Sequence, residues 1–125
     1  MVGKLKLKPY SVAVVVKDRK RSLRWYHEKL GLDILADHEH WAVVGSKKQG
    51  VALHLCAVRE FDPRGRLEKG NTGILLRTDR DIERTYRELR KRGVKFSLPP
   101  TKEDWGWACT LVDPDGNEIR LAPSW

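Results

Sequence analysis

At 125 residues, with 40% apolar residues and five tryptophans, the chain has room for one compact domain with a real core. It holds no apolar run near the length of a membrane helix, and Met1 to Lys8 is basic without the apolar segment of a signal peptide. Lysine and arginine outnumber aspartate and glutamate 25 to 17, a net charge of +8. These charges are spread, acids are partly interleaved, and no nucleic-acid motif accompanies them. A solvated, salt-bridged surface is expected rather than a nucleic-acid partner.

Tyr10 to Val16 reads as a first strand, nearly all β-branched. Asp18 is placed to cap a helix in which Leu23, Tyr26 and Leu30 recur at helical spacing, and Gly31 to end it. Trp25 lies off that stripe and is expected to cover a neighbouring surface. Leu32 to His38 and Trp41 to Val44 read as strands, with His38-Glu39-His40 at the bend between them. Val51 to Val58 is a fourth strand. Arg59 to Asn71 is polar, contains Pro63, Gly65 and Gly70, and reads as the one long connection.

The order then repeats. Gly73 to Thr78 is a strand. Asp79 or Asp81 caps a helix whose Ile82, Thr85, Tyr86 and Leu89 form one stripe. Glu83 with Arg87 and Glu88 with Arg92 support it at i,i+4 spacing, and Gly93 ends it. Val94 to Leu98 reads as a strand stopped by Pro99-Pro100. Ala108 to Leu121 closes the chain as strand, turn, strand. Asp113-Pro114-Asp115-Gly116 suits the turn, and alternation sends Ile119 and Leu121 to one face, Glu118 and Arg120 to the other. Cys56 and Cys109 lie inside strand-like runs and read as reduced, buried thiols of a cytoplasmic protein.

The chain is thus a duplication, strand–helix–three strands written twice, each half of roughly 50 residues. The expected fold class is α+β: two βαβββ modules, about residues 9–58 and 72–123, joined by a linker at 59–71. Their curved sheets enclose a cleft, with the helices outside.

Three segments carry a resemblance: VAVVVKDRKRSLRWYHEKLGLDI, DIERTYRELRKRGVKF and WGWACTLVDPDGNEIRL. Together they resemble the vicinal oxygen chelate superfamily, which includes glyoxalase I, bleomycin-resistance proteins, fosfomycin-resistance enzymes and extradiol dioxygenases. The resemblance implies the glyoxalase-like fold and a homodimer. It also implies a divalent-metal site on inward residues of four strands, which fall here on Ser11, His54, Gly73 and Arg120. Only His54 is a credible ligand, and a guanidinium cannot coordinate a cation. No metal and no other cofactor is therefore expected.

Alternation gives the inward list. It comprises Ser11, Ala13 and Val15; Ala52, His54 and Cys56; Gly73, Leu75 and Arg77; Ala108 and Thr110; Glu118 and Arg120. Trp41, Trp105 and Trp107 are placed at the rim. Such a cleft suits a small molecule, anionic if Arg77 and Arg120 converge with His54, or aromatic. The substrate-binding candidates are Ser11, His54, Arg77, Trp105, Trp107 and Arg120, with His54 the candidate base should there be a reaction. Alternatively, Arg120 pairs with an acid, or a lyase, isomerase or dioxygenase of the superfamily uses unusual metal ligands.

Overall fold

The computed structural model describes residues 10–39, 41–48, 50–56, 70–78, 81–104 and 106–123. The first module runs β1 (Ser11–Val15), α1 (Arg19–Leu30), β2 (Asp33–Asp37), β3 (Trp41–Gly45) and β4 (Ala52–Cys56). The second runs β5 (Asn71–Thr78), α2 (Ile82–Lys91), β6 (Lys95–Glu103), β7 (Gly106–Val112) and β8 (Glu118–Pro123). Each module forms one four-stranded mixed sheet, in the orders β1-β4-β3-β2 and β5-β8-β7-β6. The pairs β1–β4 and β5–β8 are parallel and the others antiparallel. A parallel pair needs a crossover, which the helix and the two middle strands provide.

Both helices form where their caps and stripes direct. The Asp18 carboxylate accepts from the Arg21 amide at 3.1 Å. Gly31 ends α1 with φ 72°, a left-handed conformation that costs glycine little. Asp81 caps α2, and the Glu83–Arg87 and Glu88–Arg92 pairs span 3.8 and 3.5 Å. Each helix covers one face of its sheet. Leu23 and Tyr26 of α1 pack with Val14, Val44, Leu53 and Leu55, while Ile82 and Leu89 of α2 pack with Cys109, Leu111, Ile119 and Leu121. These residues belong to one continuous core. Cys56 and Cys109 are buried free thiols.

The turn from Asp113 to Asn117 ties the second module to the first. The Gly116 amide donates to the Asp113 carbonyl at 3.0 Å, closing the turn. Asp113 Oδ1 accepts from the amides of Asp115 and Asn117 at 2.9 and 2.8 Å. Its Oδ2 accepts from Tyr26 Oη at 2.7 Å and Asn117 Nδ2 at 2.8 Å. Asn117 Nδ2 also donates to the Val15 carbonyl at 2.8 Å. Asp115 accepts from the Lys17 amide, Arg21 Nη2 and Ser22 Oγ. Tyr26 and Asn117 are fully buried and Asp113 nearly so. Buried polar groups cost free energy unless partnered, and here each module supplies partners for the other.

One strand departs from its expected extent. The pair Pro99-Pro100 does not end β6, which continues to Glu103. Proline cannot donate to a ladder, but β6 is the outer strand of its sheet, where that loss is tolerated. The register with β7 shifts between Leu98 and Thr101, across the prolines. Most of the expected linker, residues 59–69, lies outside the described residues, as do His40 and Trp105. Asn71 belongs to β5.

Candidate functional site

On β4, Leu53 and Leu55 turn into the core beneath α1. Alternation therefore turns Ala52 and His54 to the opposite, open face of the sheet. There His54 lies between Ala13 of β1 and Val43 of β3. Ser11 stands beside Ala52 on β1. A cleft of about 340 Å³ opens over this face, lined by Tyr10, Ser11, Leu35, Ala36, Trp41, Val43, Gly50, Ala52 and His54. Every one of these residues belongs to the first module.

Aromatic rings organise the cleft. Trp41 and His54 lie with centroids 5.0 Å apart at 54°. His38 packs on Trp41 at 4.0 Å, tilted by 35°, and its backbone amide donates to the Trp41 carbonyl at 2.8 Å. Among the described residues, no aspartate, glutamate, lysine or arginine appears in the lining. Burial holds His54 below the ordinary histidine pKa of 6.5, because a partly dehydrated imidazolium is disfavoured. The neutral imidazole is thus favoured over the imidazolium.

The second module presents the corresponding face differently. Arg120 of β8 lies between Leu75 of β5 and Thr110 of β7. Its Nη2 donates to Glu103 Oε1 at 3.0 Å. The ion pair therefore reaches from β8 to β6, across β7. Arg77 is exposed, and Leu75, Leu98 and Trp107 are exposed apolar side chains of this module.

Of the sequence-derived candidates, the structure brings Ser11 and His54 together, with Trp41, in one cleft. Arg77, Trp107 and Arg120 are not in its lining, and Trp105 lies outside the described residues. Tyr10, Leu35, Ala36, Val43 and Gly50 complete the wall without having been anticipated. Val43 could have been found by alternation from Trp41. Leu35 and Ala36 could not, because a register shift between Ile34 and Ala36 breaks the alternation of β2. Two consecutive residues then reach one cleft. Among the described residues, no three His, Cys, Asp or Glu side chains gather as a metal-ligand cluster.

Paired βαβββ modules with a ligand-sized cleft on an open sheet face define a glyoxalase-like protein. Residues 9–121 match the family model of the Glyoxalase/Bleomycin resistance protein/Dioxygenase superfamily, and the chain belongs to that superfamily. It is 31% identical over 116 residues to the uncharacterised protein YetH of Bacillus subtilis (strain 168), covering 89% of this chain and 93% of that one. A superfamily member from Sphaerobacter thermophilus DSM 20745 superposes with a TM-score of 0.84 at 30% identity, over 95% of this chain and 98% of the other. TnmS3, an antibiotic-binding protein from Streptomyces sp. CB03234, superposes with a TM-score of 0.79 at 31% identity, over 96% and 99% of the two chains. No helix among the described residues is long and apolar enough to cross a membrane.

Proposed function

We propose that this protein is a small-molecule-binding member of the superfamily, holding a weakly polar organic ligand in the cleft of its first module. The observation that carries this reading is the cleft itself, with the Trp41 and His54 rings in its wall and no charged side chain among its described lining residues. Its volume falls toward the lower end of small-molecule sites, roughly 300–1,000 Å³. A charged ligand entering it would lose hydration without an opposite charge to replace it. Similarity to an antibiotic-binding protein supports binding as the function rather than turnover.

The residues at the superfamily's metal positions do not fit a divalent ion. Of Ser11, His54, Gly73 and Arg120, His54 alone offers a good donor, and Arg120 bonds Glu103. A hard or borderline divalent ion takes three or more protein ligands in most sites. An anionic ligand would need the arginines, and neither Arg77 nor Arg120 lines the cleft.

The protein acts as one domain and as a homodimer in the cytoplasm. The dimer is supported by β1 and β5, each one of the two edge strands of its sheet, and by exposed Val12 and Leu75 on those strands; edge strands and apolar side chains of this kind are commonly covered by a partner. The free buried thiols suit a reducing compartment.

The test is calorimetric titration of dialysed protein with uncharged aromatic compounds, carboxylates and divalent metals, beside light scattering for the assembly. Binding of uncharged compounds, lost in Trp41→Ala, is the expected result. Stoichiometric zinc, manganese or iron(II), lost in His54→Ala, would instead make the protein a metal-dependent lyase, isomerase or dioxygenase.

A further inference from the structure

Arg19 opens α1, on the side of the sheet away from the cleft, yet its guanidinium reaches the bend between β2 and β3. Its Nη1 donates to the Asp37 carboxylate, and its Nε donates to the Glu39 carbonyl at 3.0 Å. These two acceptors flank His38. A guanidinium is planar and holds its donors in a rigid fork, so bonds to residues 37 and 39 fix the backbone between them. The Arg19 side chain keeps 15% of its exposure and that of Asp37 keeps 52%. A pair so open on one side adds little to global stability, and its effect is therefore local.

His38 carries that constraint to the cleft. Its amide donates to the Trp41 carbonyl at 2.8 Å. Its ring packs on the indole with centroids 4.0 Å apart, tilted by 35°, a contact that orients both rings. Trp41 in turn meets His54 at 5.0 Å, and both rings line the cleft. The contacts form a continuous path from Arg19 to the cleft wall. β2 by itself would hold the bend loosely. It ends the order of its sheet, and its register with β3 breaks between Ile34 and Ala36. Beyond the break only Ala36 with Val43 and Asp37 with Ala42 continue the ladder. A short, irregular edge of this kind opens locally at low cost.

We infer that Arg19 is a positioning residue for the cleft. It latches the bend after β2 and, through His38, holds the Trp41 indole in the orientation that a ligand meets. A residue on the helix-covered side of the sheet thereby sets a ring on the open side. The inference rests on the small-molecule reading above and adds to it the residue that keeps the aromatic wall in place.

The experiment compares the full chain as wild type, Arg19→Ala, Arg19→Lys, Asp37→Ala and Arg24→Ala. Arg24 is an exposed arginine of the same helix and controls for lost charge. The indole N–H resonance of Trp41, assigned by its absence in Trp41→Phe, reports the ring with no ligand present. Calorimetric titration with naphthol at neutral pH reports the cleft. Arg19→Ala should shift the Trp41 resonance and weaken naphthol roughly two- to tenfold, the change expected when one side chain must be ordered on binding. Its urea midpoint should stay close to that of wild type. Arg19→Lys, which keeps the charge and can reach one acceptor, should fall between the two. Asp37→Ala, at an exposed position, removes one acceptor and should move the same resonance less. Arg24→Ala should change neither readout. A Trp41 resonance unmoved in Arg19→Ala and Asp37→Ala would overturn the inference, and so would an equal shift in Arg24→Ala. A shifted resonance with naphthol affinity unchanged would overturn it too, since the ring's place would not matter to the ligand. Naphthol that fails to bind wild type counts against the small-molecule reading, while the Trp41 resonance still decides whether Arg19 positions the ring.

Discussion

His54 and Arg120 occupy the same register position in the two halves of the molecule. His54 sits on β4 between Ala13 and Val43, and Arg120 sits on β8 between Leu75 and Thr110. The two positions correspond in their strands and differ in chemistry. In the first module it holds a neutral ring in an apolar cleft; in the second it holds a guanidinium bonded to Glu103. The two faces are thereby suited to different contacts.

The Arg120–Glu103 pair should contribute little to stability. Arg120 and Glu103 side chains keep 37% and 33% of their exposure, so water screens them and the pair should supply less than about 1 kcal/mol. Glu103→Gln should shift the denaturation midpoint only slightly. Urea denaturation of wild type and variant checks this; a loss well above that bound would show that water does not screen the pair.

The Tyr26–Asp113 hydrogen bond should be worth far more. At 2.7 Å, with both groups buried, its loss in Tyr26→Phe leaves a buried carboxylate short of a donor, at a cost of about 1–3 kcal/mol. Asp113→Ala should cost at least as much, since it leaves the hydroxyl of Tyr26 and the amides of Asp115 and Asn117 without their acceptor. The two changes should be non-additive in a double-mutant cycle, because they remove one shared network. Urea denaturation of the three variants measures it. Simple additivity would mean that the contact between the modules is not energetically coupled.

Much of this arrangement was legible in the sequence. The helical stripes, the caps at Asp18 and Gly31, the turn at Asp113 and the alternation through Ile119 and Leu121 each follow a local rule, and local rules were obeyed. What was not legible depends on a strand's neighbours. The prolines of β6 are permitted because β6 is an outer strand, a fact of sheet order. With that strand read as ending at Leu98, Glu103 had no place on the sheet and could not be named as the partner of Arg120. The irregularity at Ile34 to Ala36 hid part of the cleft wall in the same way. Alternation placed Ser11 and His54 on one open face, where they line one cleft, but Arg77, Trp107 and Arg120 do not join them in its lining.

Alkaline pH should destabilise the protein through two buried groups. Burial, then the negative charge of Asp113, raises the Tyr26 pKa well above its ordinary 10.0. Burial, then Glu83, pushes the Cys109 thiol up to about 11 from 9.0. Both groups are held protonated in the fold while the unfolded chain releases the protons. Stability is therefore fully present below pH 9 and is lost as pH rises through 9 to 11 and beyond. Tyr26→Phe and Cys109→Ala should each flatten this decline, and Cys109 should resist alkylation until the protein unfolds. Denaturation midpoints between pH 8 and 11 (the window set by these two groups) provide the measurement.

On the acid side His54 should govern both stability and ligand affinity. Its pKa is lowered from 6.5 by burial, so the unfolded chain takes up a proton at a higher pH than the folded one. The sign follows: the neutral imidazole's contribution is present above pH 6.5 and is lost as pH falls below it through the lowered value. In the cleft, protonation also places a positive charge beside Trp41, on a wall otherwise made largely of apolar side chains among the described residues. Binding of an uncharged aromatic ligand should therefore weaken as pH drops from 7 toward 5, over the range where a histidine ordinarily titrates. His54→Phe should remove that pH dependence while keeping an aromatic wall, and Ser11→Ala should leave it in place. Titrating naphthol across this range with wild type and both variants decides the matter. If the acid-side loss persists in His54→Phe, His54 does not control the cleft.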